Sequence, residues 1–242
     1  MIQVNRVITL FALCAALFST SACVSLTGFN TGRTVPQGGG EISGNATFVE
    51  TIDYNVEDTV TIIPTLYLPV LEVGGRYGII DRLDVGLRIS TSANIMLDAK
   101  YQFLGTQDSP FAMAIGAGVG FTPLLAIGVT VFNFQFPLAM SYHPSEKIHI
   151  YFTPRYIHQR AGQISTVFGS ANFTGFNAGV LFGKEFKFGL DIGNYNVKGS
   201  GGKTGLDWSR KNLFNAGVGI SYSFGGRKKE DGEATAFKTN DL

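Results

Sequence analysis

A two-residue alternation that recurs along most of this chain constrains its fold more than any other feature. Over 127–142, Phe132, Phe134, Phe136, Leu138, Met140 and Tyr142 share one face, and Asn133, Gln135, Ala139 and Ser141 share the other. Over 213–224, Phe214, Ala216, Val218, Ile220, Tyr222 and Phe224 alternate with Asn215, Gly217, Gly219, Ser221 and Ser223. Successive side chains point to opposite sides only in an extended strand, so each segment is a strand with one apolar face. Read the same way, the chain predicts ten strands: 41–49, 66–78, 82–90, 94–104, 111–121, 127–142, 147–157, 173–183, 186–194 and 213–224. Pro69, Pro137 and Pro154 fall inside these windows and should mark bulges or strand ends, because proline lacks a ladder donor.

A soluble sandwich with its apolar faces packed inward would show the same alternation. Two features favour a membrane barrel. Ala112, Ala114, Gly116, Gly118 and Gly120 make one whole face of a strand, which suits a narrow lumen better than a solvated surface. The chain is also exported. Arg6, the apolar run Val7–Phe18 and small residues 19–22 form a secretory signal over 1–22. In lipid only a helix or a closed barrel bonds all of its own backbone, and an even strand number closes a bacterial barrel. Charged residues are only 15% of the chain, against about 25% in soluble domains. The net charge of +1 gives no footing for nucleic acid.

The strand windows contain the charged residues Glu41, Glu72, Arg76, Arg82, Asp84, Arg88, Asp98, Lys100, Lys147, Arg155, Lys187 and Asp191, and all lie opposite the aromatic face. A turn centred near Ile80 would set Arg76 against Asp84 and Glu72 against Arg88, with Asp98 and Lys100 following across the next strand. The expectation is a lumen closed by ion pairs among Glu72, Arg76, Asp84, Arg88, Asp98, Lys100, Arg155 and Asp191.

The cysteine at the cleavage point, Cys23, behind Thr20-Ser21-Ala22, resembles the acylated cysteine of bacterial lipoproteins. Gly219-Ile220-Ser221-Tyr222-Ser223-Phe224 resembles the terminal-strand signal of outer-membrane β-barrels, although 18 residues follow it here. The segment Gly32–Gly38 resembles the tether of small outer-membrane barrel lipoproteins. The resemblance implies a signal peptide over 1–22, lipid attachment at Cys23, a flexible tether over 23–40, an up-and-down transmembrane β-barrel over 41–224 and a disordered periplasmic tail over 225–242. It also implies a monomer set in outer-membrane lipid by the barrel assembly machinery, both termini periplasmic, with no cofactor, no metal and no nucleic-acid partner.

Little in the sequence points to catalysis. His158, near Ser165 and Ser170, is the residue a lipid-modifying barrel enzyme would use, but it reads as an interfacial polar side chain. His143 reads as a turn residue and His149 as a lumen hydrogen-bonding group. The glycine-rich strings sit inside strands with no helix behind them, so they are not phosphate loops. The expected role is structural or surface-interacting, through extracellular loops 50–65, 158–172 and 195–212. A narrow, porin-like channel for small solutes is the second reading and a lipid-modifying enzyme the third. An eight-stranded barrel is filled by side chains and one of 16–18 strands holds water, so ten strands favour closure.

Overall fold

The computed structural model describes residues 25–50, 67–124, 129–163, 166–200 and 207–226. The signal peptide, Cys23, most of loop 50–65 and the tail beyond Gly226 lie outside the described residues.

The alternating segments form ten antiparallel strands: β1 (Gly39–Glu50), β2 (Tyr67–Ile80), β3 (Leu83–Ser90), β4 (Ile95–Leu104), β5 (Phe111–Leu124), β6 (Val129–Ser145), β7 (Ile148–Gln163), β8 (Thr166–Gly183), β9 (Phe186–Ser200) and β10 (Asp207–Gly225). Each pairs with its sequence neighbours, and β1 pairs with β10 to close the barrel. Phe224 pairs with Gly40 at this seam, which Lys187 on β9 ties to Glu41 on β1 at 2.6 Å. One rim carries the tight connections after β2, β4, β6 and β8, together with the start of β1 and the end of β10.

The wall is inverted relative to a soluble protein. Its outer face carries Phe134, Leu190, Ile192 and Ile220, each 40% exposed or more, whereas lumen-facing Asn133, Thr153, Asn177 and Asn215 are fully buried. A continuous apolar exterior around a closed sheet fits hydrocarbon and not water.

Two expected loops are shorter than the sequence suggests. Residues 158–172 are mostly strand: β7 and β8 stay paired up to Gln163 and Thr166. Residues 195–212 likewise belong to β9 and β10, apart from 201–206, which lie outside the described residues. Glycine, serine and asparagine there read as loop, but the backbone ladder continues through them, and the inward-facing Ala171, Tyr195 and Val197 are buried. Pro137 and Pro154 sit where the β6–β7 ladder lacks partners, between Pro137/Arg155 and Met140/Phe152. The register does not shift there, so the prolines interrupt the ladder without a bulge. Pro69 pairs only with β1, beyond the part of β2 that pairs with β3.

Candidate functional site: a chain segment threaded through the lumen

The charged residues of β2, β3 and β4 meet inside the barrel. Arg76 Nη2 lies 2.5 Å from Asp84 Oδ1 and Arg76 Nη1 lies 2.7 Å from Asp98 Oδ1. Arg88 bridges Asp98 at 3.3 Å and Glu72 at 3.6 Å. The register differs from the expected one by two residues, because an irregularity between Gly78 and Ile80 moves the turn. Arg76 is therefore opposite Gly86, and Glu72 is opposite Ser90. Long side chains close the pairs diagonally, and glycine at 86 leaves room for the Arg76 guanidinium.

Arg155 and Asp191 belong to a different arrangement. Arg155 faces Pro137 and Gly175 on its neighbouring strands, so no acid stands across from it. Its Nη2 donates to the Thr27 carbonyl at 3.0 Å and its Nη1 to the Ser25 carbonyl at 3.4 Å. Asp191 accepts from Tyr151 Oη at 2.6 Å and Asn177 Nδ2 at 2.8 Å, and Asn177 Nδ2 also reaches the Leu26 carbonyl at 3.0 Å.

These contacts belong to residues 25–38, which run inside the barrel. The expected flexible tether over 23–40 is thus corrected from Ser25 onward. From the rim of tight turns, Gly38 N donates to the Gly78 carbonyl at 3.0 Å, and Arg33 Nη2 donates to the Ser109 carbonyl at 2.7 Å. Further in, Val35 N donates to Asp84 Oδ2 at 2.8 Å and Thr34 N to Gln102 Oε1 at 2.9 Å. Lys100 Nζ donates to Asn30 Oδ1 at 3.1 Å and to the carbonyls of Thr31 and Arg33 at 3.1 and 2.7 Å. Along β7 the contacts climb from Tyr151 (Phe29 N, 3.1 Å) through Thr153 (Asn30 O, 3.2 Å) to Arg155. Ser25 ends the path with a hydrogen bond to Glu72. The segment therefore climbs away from the tight-turn rim, and Leu26 packs in an inner apolar layer with Val49, Val70, Ile157, Phe173 and Leu213.

Close approach explains several small residues. A side chain at Gly32 would run into the Ala112 carbonyl, and one at Gly28 into the Asp191 carboxylate. The Phe29 ring lies over Gly189 and Gly219. The polar composition of 25–38 serves a solvated linker and a polar lumen equally well, which is why the sequence alone reads it as linker. One signal of the occupant is present in the sequence: Arg155, a lumen cation without an acid across the ladder.

Two of the three histidines meet. His143 Nδ1 and His149 Nδ1 are 2.7 Å apart, and both rings are buried, so His143 is not a turn residue. With both rings neutral, the proton order is determined. The Gly183 carbonyl only accepts, so His149 Nε2, at 3.0 Å, carries hydrogen. His149 Nδ1 then accepts from His143 Nδ1, and His143 Nε2 accepts from Ser141 Oγ at 2.7 Å. Ser141 Oγ in turn accepts from Gly32 N at 2.9 Å. Nucleophile, base and orienter follow in the order of a hydrolase triad. Ser141, however, is 2% exposed and covered by Gly32, so the relay acts as an anchor for the threaded segment. His158 lies apart, on the outer face, with Nδ1 2.8 Å from Asn172 Oδ1. Among the described residues no group of His, Cys, Asp and Glu converges on a metal position.

A cavity of about 900 Å³ remains beside the segment, lined from the tight-turn rim (Asp108, Glu146, Lys184) up to Asn45 and Glu72.

No protein-family model matches the chain, and no curated protein is significantly similar to it. Several solved structures match the chain at low identity. The N-terminal β-barrel domain of Pseudomonas aeruginosa OprF is 11% identical, covering 78% of this chain and 99% of that one, with a TM-score of 0.35. Neisserial surface protein A is 9% identical over 78% and 100%, with a TM-score of 0.39. Ail, the attachment invasion locus protein of Yersinia pestis, is 13% identical over 78% and 99%, with a TM-score of 0.31.

Proposed function

We propose that this protein is a sealed barrel lipoprotein of the bacterial outer membrane, with a structural or surface-interaction role and no conductive one. The observation that carries this reading is the segment 25–38, hydrogen-bonded to the wall from Gly78 up to Glu72 and backed by the Arg76–Asp84–Asp98–Arg88 network. The cavity beside the segment is lined from the tight-turn rim to Asn45 and Glu72, and the buried apolar layer of Leu26, Val49 and Val70 lies beyond it. The parts offered for interaction are the tall hairpins β7–β8 and β9–β10.

The same path bears on orientation. The C-terminal end of β10 lies on the tight-turn rim, the periplasmic side of outer-membrane barrels. The N-terminal segment heads the other way. Ser25 stands at Glu72, away from the tight-turn rim.

Planar-bilayer recordings test the reading. The intact protein should stay closed, and deletion of residues 25–36 should open steady conductance. Steady conductance of the intact protein would make it a channel. An epitope inserted between Val24 and Ser25 should be reached by antibody on intact cells. Detection only after permeabilisation would place the N-terminal end in the periplasm.

A further inference from the structure

The outer face of the tall wall changes character above its apolar belt. On β7, His158 and Arg160 stand in register with Phe134 and Phe132 of β6 on one side, and with Asn172 and Ser170 of β8 on the other. Lys198 of β9 is the next partner of Asn172. Arg160 and Lys198 are both exposed. Asn172 Oδ1 accepts from Tyr156 Oη and from His158 Nδ1, each at 2.8 Å. A side-chain amide oxygen only accepts, so His158 carries its proton on Nδ1. The polar face continues through Asn196, whose Nδ2 donates to Asn212 Oδ1 at 3.2 Å. Asp191, the single carboxylate in β7, β8 and β9, points into the lumen. Cations with no acid beside them on the outer face of β7, β8 and β9, bordered on one side by phenylalanines and on the other by amides and hydroxyls, match an amphiphile with an anionic, hydroxyl-bearing head.

We propose that this face binds the headgroup of a phosphorylated glycolipid of the outer leaflet. The proposal rests on the membrane reading above. Arg160 and Lys198 take the phosphate, Arg160 through its planar fork of donors. Asn172 and Asn196 meet sugar hydroxyls, and acyl chains lie along Phe132 and Phe134. A plain phospholipid would satisfy the cations and leave the amide row unused.

Native mass spectrometry of the purified, detergent-held protein tests this, with diphosphoryl lipid A, phosphatidylglycerol and phosphatidylcholine as added lipids. The intact protein should retain lipid A in preference to both phospholipids. The double variant Arg160→Gln/Lys198→Gln should lower lipid A retention about tenfold, the loss expected for one charge-assisted contact. Lys184→Gln, on the opposite rim, should leave it unchanged. Equal retention of phosphatidylglycerol, or a double variant that binds lipid A normally, overturns the proposal. Heat-modifiable gel mobility is read in parallel for every protein. Failure to insert into lipid as a heat-modifiable barrel would overturn the membrane reading as well, and so separates the two failures.

Discussion

Replacing Lys100 by methionine tests the threaded segment directly. The ammonium donates three hydrogen bonds to the segment, to Asn30 Oδ1 and to the carbonyls of Thr31 and Arg33, and stands 3.7 Å from Asp84 Oδ2. Methionine fills much the same space with no donor. Hydrogen bonds to a charged group are worth about 1.5–3 kcal/mol each, and leaving buried partners unpaired costs about 3–5 kcal/mol. The three bonds share one nitrogen and do not add, so we take about 3–4 kcal/mol against the seated segment. At about 1.4 kcal/mol per factor of ten, the unseated population rises roughly 100- to 1,000-fold. Amide hydrogen exchange reads this directly. The Gly32, Thr34 and Val35 amides are held by Ser141, Gln102 and Asp84. They should exchange faster in Lys100→Met by that factor, while the β7 and β8 amides keep their protection. Unchanged exchange at these amides in a still-folded barrel would refute the claim that Lys100 holds the segment.

Other perturbations follow from the same geometry. Gly32→Val should drive the segment off Ala112 without unfolding the barrel, read as new protease cleavage within residues 25–38. His143→Leu leaves His149 Nδ1 and the Ser141 hydroxyl without their partner, and should cost about 1–3 kcal/mol in urea unfolding from liposomes. Arg at Phe134 or Ile220 should cost about 2–4 kcal/mol of folding into lipid. Arg at Ser221, which lines the lumen cavity, should be tolerated. Equal effects at Phe134, Ile220 and Ser221 would mean that the outer face does not meet hydrocarbon.

Much of the barrel was legible because a strand writes its environment into alternate residues. Phe132, Phe134 and Phe136 against Asn133 and Gln135 state which side is apolar, and all ten strands follow from that pattern. The inward charges were legible for the same reason, since one two-residue phase places Arg76, Asp84 and Asp98 in the lumen together. Their pairing was legible only to within two residues. An irregularity at Gly78 moves the turn, and nothing in the local sequence distinguishes it from a plain hairpin. The upper ends of β7 to β10 were hidden because glycine, serine and asparagine there replace the apolar residues of the outer face and blur the alternation.

What the sequence determined by itself is the wall: strand number, facing and the sign of each lumen charge, all consequences of local, period-two geometry. What only the tertiary structure decided is the occupant of that wall. Residues 25–38 have no periodicity, because their hydrogen bonds go to side chains far along the chain, such as Lys100, Tyr151 and Arg155. The meeting of His143 with His149 and the seating of Gly32 on Ala112 depend on how the closed sheet curves and where the threaded chain lies within it. Those distances are set by closure, a property of all ten strands at once.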